Sequence, residues 1–130
     1  MKTAAAYIRV STRRQVEEAT IVSQLEAVTR YAKSKEYHLA PTHIYRDEGI
    51  SGARLNRPGL TRLRDAALMG QFGVILCLSA DRLSRNLGVQ QLLLSEWKGL
   101  QVSVIFVQAG RPAETAQEQL LLNIEGAFAE

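Results

Sequence analysis

The chain has 130 residues, 46% of them hydrophobic and 22% charged, which is enough for one domain with a buried core and too apolar for intrinsic disorder. No apolar run approaches the roughly 18 residues of a membrane span, and the first residues lack the apolar stretch of a secretion signal, so the expectation is a soluble cytoplasmic protein with no membrane partner. The net charge of +3 leans toward anionic partners. Twelve of the sixteen basic residues are Arg, the residue suited to bidentate phosphate contacts, although a GC-rich genome gives the same bias.

In chain order, Thr3 to Val10 reads as a strand with Tyr7, Arg9 and then Ser11 on one face and Ile8 and Val10 on the other. A strand that merely filled a core would put neither an arginine nor a hydroxyl there. Burying a charge is costly, so Arg9 reads as functional rather than as packing. Ser11 reads equally as a helix N-cap and as a reactive hydroxyl emerging at the strand's carboxyl end. Glu17 to Lys35 places Ile21, Leu25, Val28 and Ala32 at helical spacing. Leu39 to Tyr45 is a second strand, which delivers Arg46 and Asp47 to the same rim. The stretch from Asp47 to Arg57 reads as a loop rich in Gly, Ser and Asn, with Ser51-Gly52 locally a turn.

Pro58 suits the first turn of a helix running to about Met69, which Gly70 closes. Val74 to Leu78 is a continuous apolar strand that holds Cys77, the single cysteine. One buried cysteine offers neither a disulfide framework nor a thiolate metal cluster. Ser79, Asp81, Arg82, Ser84 and Arg85 follow. If Asp81 begins a helical turn, Arg82 and Arg85 point the same way, as a phosphate-binding pair or as a solvated face paired with Asp81. Leu87 to Leu100 is a helix whose Leu93, Leu94, Trp97 and Leu100 form a core stripe. Val102 to Val107 is a further strand, and a last helix from about Thr115 carries Leu120, Leu121, Ile124, Ala127 and Phe128, partly against the sheet and partly toward a partner.

This order predicts a three-layer α/β domain, with a largely parallel four- to five-stranded sheet and helices on both faces. Ligands of such sheets bind beyond the carboxyl ends of the strands, where Arg9, Ser11, Asp47, Asp81, Arg82 and Arg85 gather. The residues missing from that set narrow the chemistry. His38 and His43 have no ligand-spaced Cys or carboxylate, which argues against zinc. Neither a phosphate-binding Gly-Lys loop nor a dinucleotide turn follows the first strand. The Cys77 to Arg82 stretch is one residue short of a phosphatase loop, and a Ser-His-Asp solution lacks its histidine. A serine ringed by arginines is what metal-free phosphoryl transfer requires, with Asp81 a candidate proton acceptor.

The sets Tyr7-x-Arg9-x-Ser11, Asp47-x-Gly49-x-Ser51-Gly52, Arg57-Pro58 and Asp81-Arg82-Leu83-Ser84-Arg85 occur in that order. Together they resemble, along essentially the whole chain, the catalytic domain of the resolvase/invertase family of serine site-specific DNA recombinases. The resemblance implies an enzyme whose serine attacks a backbone phosphate of double-stranded DNA, leaving a 5'-phosphoserine link and a 3'-hydroxyl. The bond energy stays in that link, so the family needs no ATP, metal or other cofactor. By motif position Ser11 is the nucleophile, and Arg9, Arg82 and Arg85 bind the scissile phosphate. Arg57 matches a further active-site arginine on a loop over the rim, and Asp81 a carboxylate that orients the arginines or moves protons. Gln15 and Gln24 match supporting glutamines, and Tyr7, Asp47 and Ser51 stand behind the reacting groups.

The family also implies homodimers, and synaptic homotetramers, in the intact protein. Its members continue from the last helix into a long arm and a separate DNA-binding region, so residues 1–130 read as an excised catalytic domain. The stretch "STRRQVEEATIVSQLEA" resembles the large recombinases of phages and mobile elements more than the small resolvases. Two other readings stay open: a non-catalytic α/β interaction module of the same fold, and a metal-free phosphotransferase acting on small molecules.

Overall fold

The computed structural model describes residues 2–10, 14–49, 54–115, 118, 120, 121 and 124, with the side chains of 14–19 excepted. The elements are β1 (Lys2–Val10), α1 (Arg14–Ser34), β2 (Tyr37–Glu48), α2 (Pro58–Leu68), β3 (Val74–Cys77), α3 (Ala80–Leu83), α4 (Leu87–Gly99), β4 (Ser103–Phe106) and β5 (Arg111–Pro112). The sheet order is β2-β1-β3-β4-β5. β1 to β4 run parallel, and β5 pairs antiparallel with β4. β1, between two parallel neighbours, is buried on both faces, and its run of Ala4, Ala5 and Ala6 is fully enclosed.

Alternation along β1 sorts the core. Ala5 and Tyr7 join Ile75 and Cys77 under Leu60 and Leu63 of α2 and Leu93 and Trp97 of α4. Ala4 and Ala6 join Val74 and Leu76 against Val28 and Ala32 of α1 on the opposite face. The expected three layers are therefore present, with α1 on one side and α2 and α4 on the other.

Four features depart from the expected elements. β2 runs on to Glu48, so Asp47 belongs to a strand and lies beside Arg9 rather than opening a loop. Between its two paired stretches β2 bulges: Ala4 pairs with Leu39 but Ala6 with Ile44, and Pro41 falls in the interval. α3 stops at Leu83 and Ser84 is extended (φ −163°, ψ 139°), so Arg82 and Arg85 do not share a helical face. The fifth strand, two residues long with Pro112 in it, carries no readable strand pattern.

Pro58 begins α2 as expected, and Gly70 follows it in the left-handed region (φ +72°). Gly59 is required for a different reason. A Cβ there would lie 2.3 Å from the backbone oxygen of Arg46, so α2 meets β2 with no room for a methyl. Gly59→Ala should destabilise the protein by about 3 kcal/mol and lower its melting temperature by roughly 10 °C. An unchanged melting temperature would show that the two backbones can part without cost.

Leu93, Leu94 and Trp97 are buried as the stripe on α4 predicts, and Leu100 packs at the edge of the same core. At the start of the last helix Thr115 and Glu118 form a reciprocal capping box. The Glu118 amide donates to Thr115 Oγ1 and the Thr115 amide to Glu118 Oε1, both at 3.1 Å. Leu120, Leu121 and Ile124 beyond it are exposed. Among the described residues no helix is long and apolar enough to cross a membrane, and no cluster of His, Cys, Asp or Glu is placed to hold a metal ion.

Candidate active site

The carboxyl ends of β1, β2 and β3 meet at one rim, and the polar residues of these strands and the segments after them interlock there. Tyr7 and Arg9 project from one face of β1. The Tyr7 hydroxyl donates to Asp47 Oδ2 (2.6 Å) on the neighbouring strand. Asp47, 3% exposed, also accepts from the amides of Gly59 (Oδ1, 2.7 Å) and Leu60 (Oδ2, 2.9 Å). It thus satisfies two of the orphan amides at the start of α2, a task that Arg57 at the cap position leaves undone. Burial first, and then the bond to Asp47, hold the Tyr7 phenol well above its ordinary pKa, so Tyr7 is a neutral donor in this network.

Arg57 departs from its expected place on an open loop. It is completely buried, and its guanidinium stands over the Tyr7 ring. Nε donates to the Arg54 carbonyl (2.6 Å), and Nη1 donates to the Tyr7 hydroxyl (3.1 Å) and to the Leu83 carbonyl (2.6 Å). Its Nη2 is buried and has no hydrogen-bond partner among the described residues. Arg9, 1% exposed, reaches the same segment from the strand end, with Nη2 donating to the Asp81 carbonyl (2.7 Å) and Nε to that of Arg82 (3.0 Å). The Arg9 pKa lies below the usual arginine range, first through burial and then through the positive charges of Arg57, Arg85 and Arg82. Three of the other sequence-predicted arginines are thus close enough to press on the charge of Arg9.

Asp81 is exposed, and its carboxylate accepts from the Ser79 hydroxyl (2.6 Å). That bond, with nearby Arg82 and Arg9 contributing less, holds its pKa below the ordinary carboxylate range. Gln24 of α1 is fully buried, and its Nε2 donates to the Arg9 carbonyl (3.2 Å), which ties the helix to the strand end. Ser11 and Ser51 lie outside the described residues, as does the side chain of Gln15. Cys77 takes no part: burial pushes its thiol up to about 12.

Sequence reasoning named Ser84 near the rim without giving it a role, and it passed over Gln90. Ser84 is buried in the extended step after α3, and Gln90 of α4 donates from Nε2 to the carbonyls of Ala80 and Ser84, both at 3.2 Å. The serine stands inside a quoted motif, but nothing marks the glutamine except its helical position near the segment it holds.

The sequence matches the family described as the resolvase N-terminal domain over residues 4–130. A protein of Bacillus subtilis (strain 168) named "Putative DNA recombinase" is 38% identical over 127 residues, 97% of this chain and 24% of that protein. A Pseudomonas putida "Resolvase/recombinase" is 29% identical over 124 residues, 95% of this chain and 61% of that protein, so the chain spans less than two thirds of either relative. Among solved structures, the N-terminal catalytic domain of TP901-1 integrase superposes with a TM-score of 0.81 at 31% identity, over 98% of this chain and 94% of that one. A resolvase family site-specific recombinase from Streptococcus pneumoniae shares the fold, with a TM-score of 0.77 at 23% identity over 99% of this chain and 86% of that one.

Proposed function

The chain belongs to the resolvase N-terminal domain family, the catalytic domain of serine recombinases, and from that premise we propose that it cuts and rejoins double-stranded DNA. The Ser11 oxygen loses its proton and bonds to the scissile phosphorus. The 3'-oxygen leaves and takes up a proton, giving a 5'-phosphoserine link and a 3'-hydroxyl. Attack by a 3'-hydroxyl on that link reverses the step and reseals the strand, with no ATP and no metal.

The observation that carries this reading is the gathering of Arg9 and Arg57 on the carbonyls of Asp81, Arg82 and Leu83, where Arg57, Arg85 and Arg82 all press their charge on Arg9, the residue two positions before Ser11 in the sequence. Like charges held together by a fold are costly unless an anion is to share them, and a pentavalent phosphorane with its non-bridging oxygens is such an anion. Arg9, Arg82 and Arg85 serve as its ligands. Asp81, held ionised by Ser79, is a weaker proton acceptor than an ordinary carboxylate, which favours the role of orienting the arginines. Gln24 steadies the strand end, and Gln15 and Ser51 are assigned supporting places by motif position. The active assembly is a homodimer on each site and a synaptic homotetramer in the cytoplasm, with residues 1–130 as its catalytic domain.

The test is covalent trapping. The full-length recombinase is incubated with nicked DNA carrying the junctions of the element that encodes it, in EDTA, then denatured and mapped by mass. The expected adduct lies on the peptide containing Ser11. An adduct on another residue, or one that forms only when metal is added, would overturn the mechanism.

A further inference from the structure

The segment that carries Arg82 and Arg85 has little secondary structure of its own. α3 is a single turn of four residues, too short to be stable alone, and Ser84 after it is extended. The last carbonyls of such a turn have no partner within the helix. Five successive carbonyls are nevertheless satisfied by side chains from elsewhere. Gln90 holds those of Ala80 and Ser84, Arg9 those of Asp81 and Arg82, and Arg57 that of Leu83. The three clamping side chains come from α4, from β1 and from the residue before α2, so the segment is suspended among three separate elements.

We propose that Gln90 is a positioning residue for the reaction, fixing through the Ala80 and Ser84 carbonyls the backbone from which Arg82 and Arg85 reach the scissile phosphate. The inference rests on reading those two arginines as phosphate ligands. Gln90 grips the segment on both sides of Arg82, and its two carbonyls bracket the turn at the point where it changes from helical to extended. Arg57, buried behind Tyr7, closes the same clamp at Leu83. Losing one jaw lets the guanidinium groups drift by a fraction of their length, and positioning of that order governs rate more than affinity.

Gln90→Met tests this, because methionine keeps an unbranched side chain of similar length and removes both N–H donors. In the full-length protein, exchange of the Ser84 and Asn86 amides, which donate to Ala80 O and Ser84 Oγ, should quicken about 10-fold. Single-turnover cleavage of the nicked DNA should fall about 10- to 100-fold, with DNA affinity within about 2-fold of the parent. A second substrate with a methylphosphonate at the scissile position removes one negative charge from the group that the arginines bind. There the deficits of Gln90→Met and of Arg82→Ala should shrink together, whereas general structural damage would persist on both substrates. A Gln90→Met deficit that persists while that of Arg82→Ala shrinks, cleavage at the parent rate, or unchanged amide exchange would each overturn the proposal. A parent protein that cleaves neither substrate would defeat the recombinase reading instead, and the exchange measurement would still decide whether Gln90 holds the segment.

Discussion

Ser11→Ala in the full-length protein should abolish DNA cleavage, by at least about 10⁴-fold, because a methyl group cannot form the phosphoester through which the strand is held. DNA affinity should stay within about 3-fold of the parent, since the substitution removes no charge and most of a recombinase's phosphate contacts serve binding rather than chemistry. The two measurements must be made together, by gel shift for binding and by denaturing gel for the broken strand. The described serines near the rim make poor substitutes: the Ser79 hydroxyl is bonded to Asp81, and Ser84 is buried against Asn86. Cleavage at the parent rate would remove Ser11 as nucleophile.

Asp47→Ala should cost about 4 kcal/mol of folding stability, read by urea unfolding, because it strands three buried donors at once. The Tyr7 hydroxyl and the Gly59 and Leu60 amides all point at this one carboxylate. The loss is a large share of the total stability of an ordinary domain, roughly 5–15 kcal/mol. Asp47→Asn should cost less than half as much, since the amide keeps one acceptor oxygen and the same volume. Equal losses in the two variants would mean that the shape of the side chain, and not its hydrogen bonds, anchors α2. The phenotype should also spread: with Asp47 gone the Tyr7 hydroxyl loses the acceptor that fixes it, and Arg57 Nη1 then donates to an oxygen that is no longer held in place.

The layers of this protein were written in its periodicities. The apolar run at Val74, the proline that begins α2 and the glycine that ends it each have a local cause, and each acts within a few residues. The positions of Arg9 and Tyr7 on one face followed from strand alternation alone. Arg57 was harder, since an arginine in a polar loop looks the same whether it faces water or is buried against its own loop and a carbonyl three elements away. The break at Ser84 was hidden for a related reason: side chains from β1 and α4 hold the segment in a conformation that its own sequence does not specify. Gln24 stood out only through the resemblance, because a buried glutamine on a helix breaks the apolar stripe without saying which carbonyl it meets.

The two ends of the sheet carry a consequence for behaviour in crowded surroundings. An open sheet edge is a template on which a second chain can lay a strand, and catalytic domains concentrated on one stretch of DNA would meet edge to edge often. One edge is β5, two residues long and half proline, which offers almost no ladder to extend. The other is β2, long but kinked by its bulge around Pro41, so an incoming strand cannot keep register along it. The domain should therefore remain dispersed at concentrations where a flat-edged sheet would begin to form aggregates.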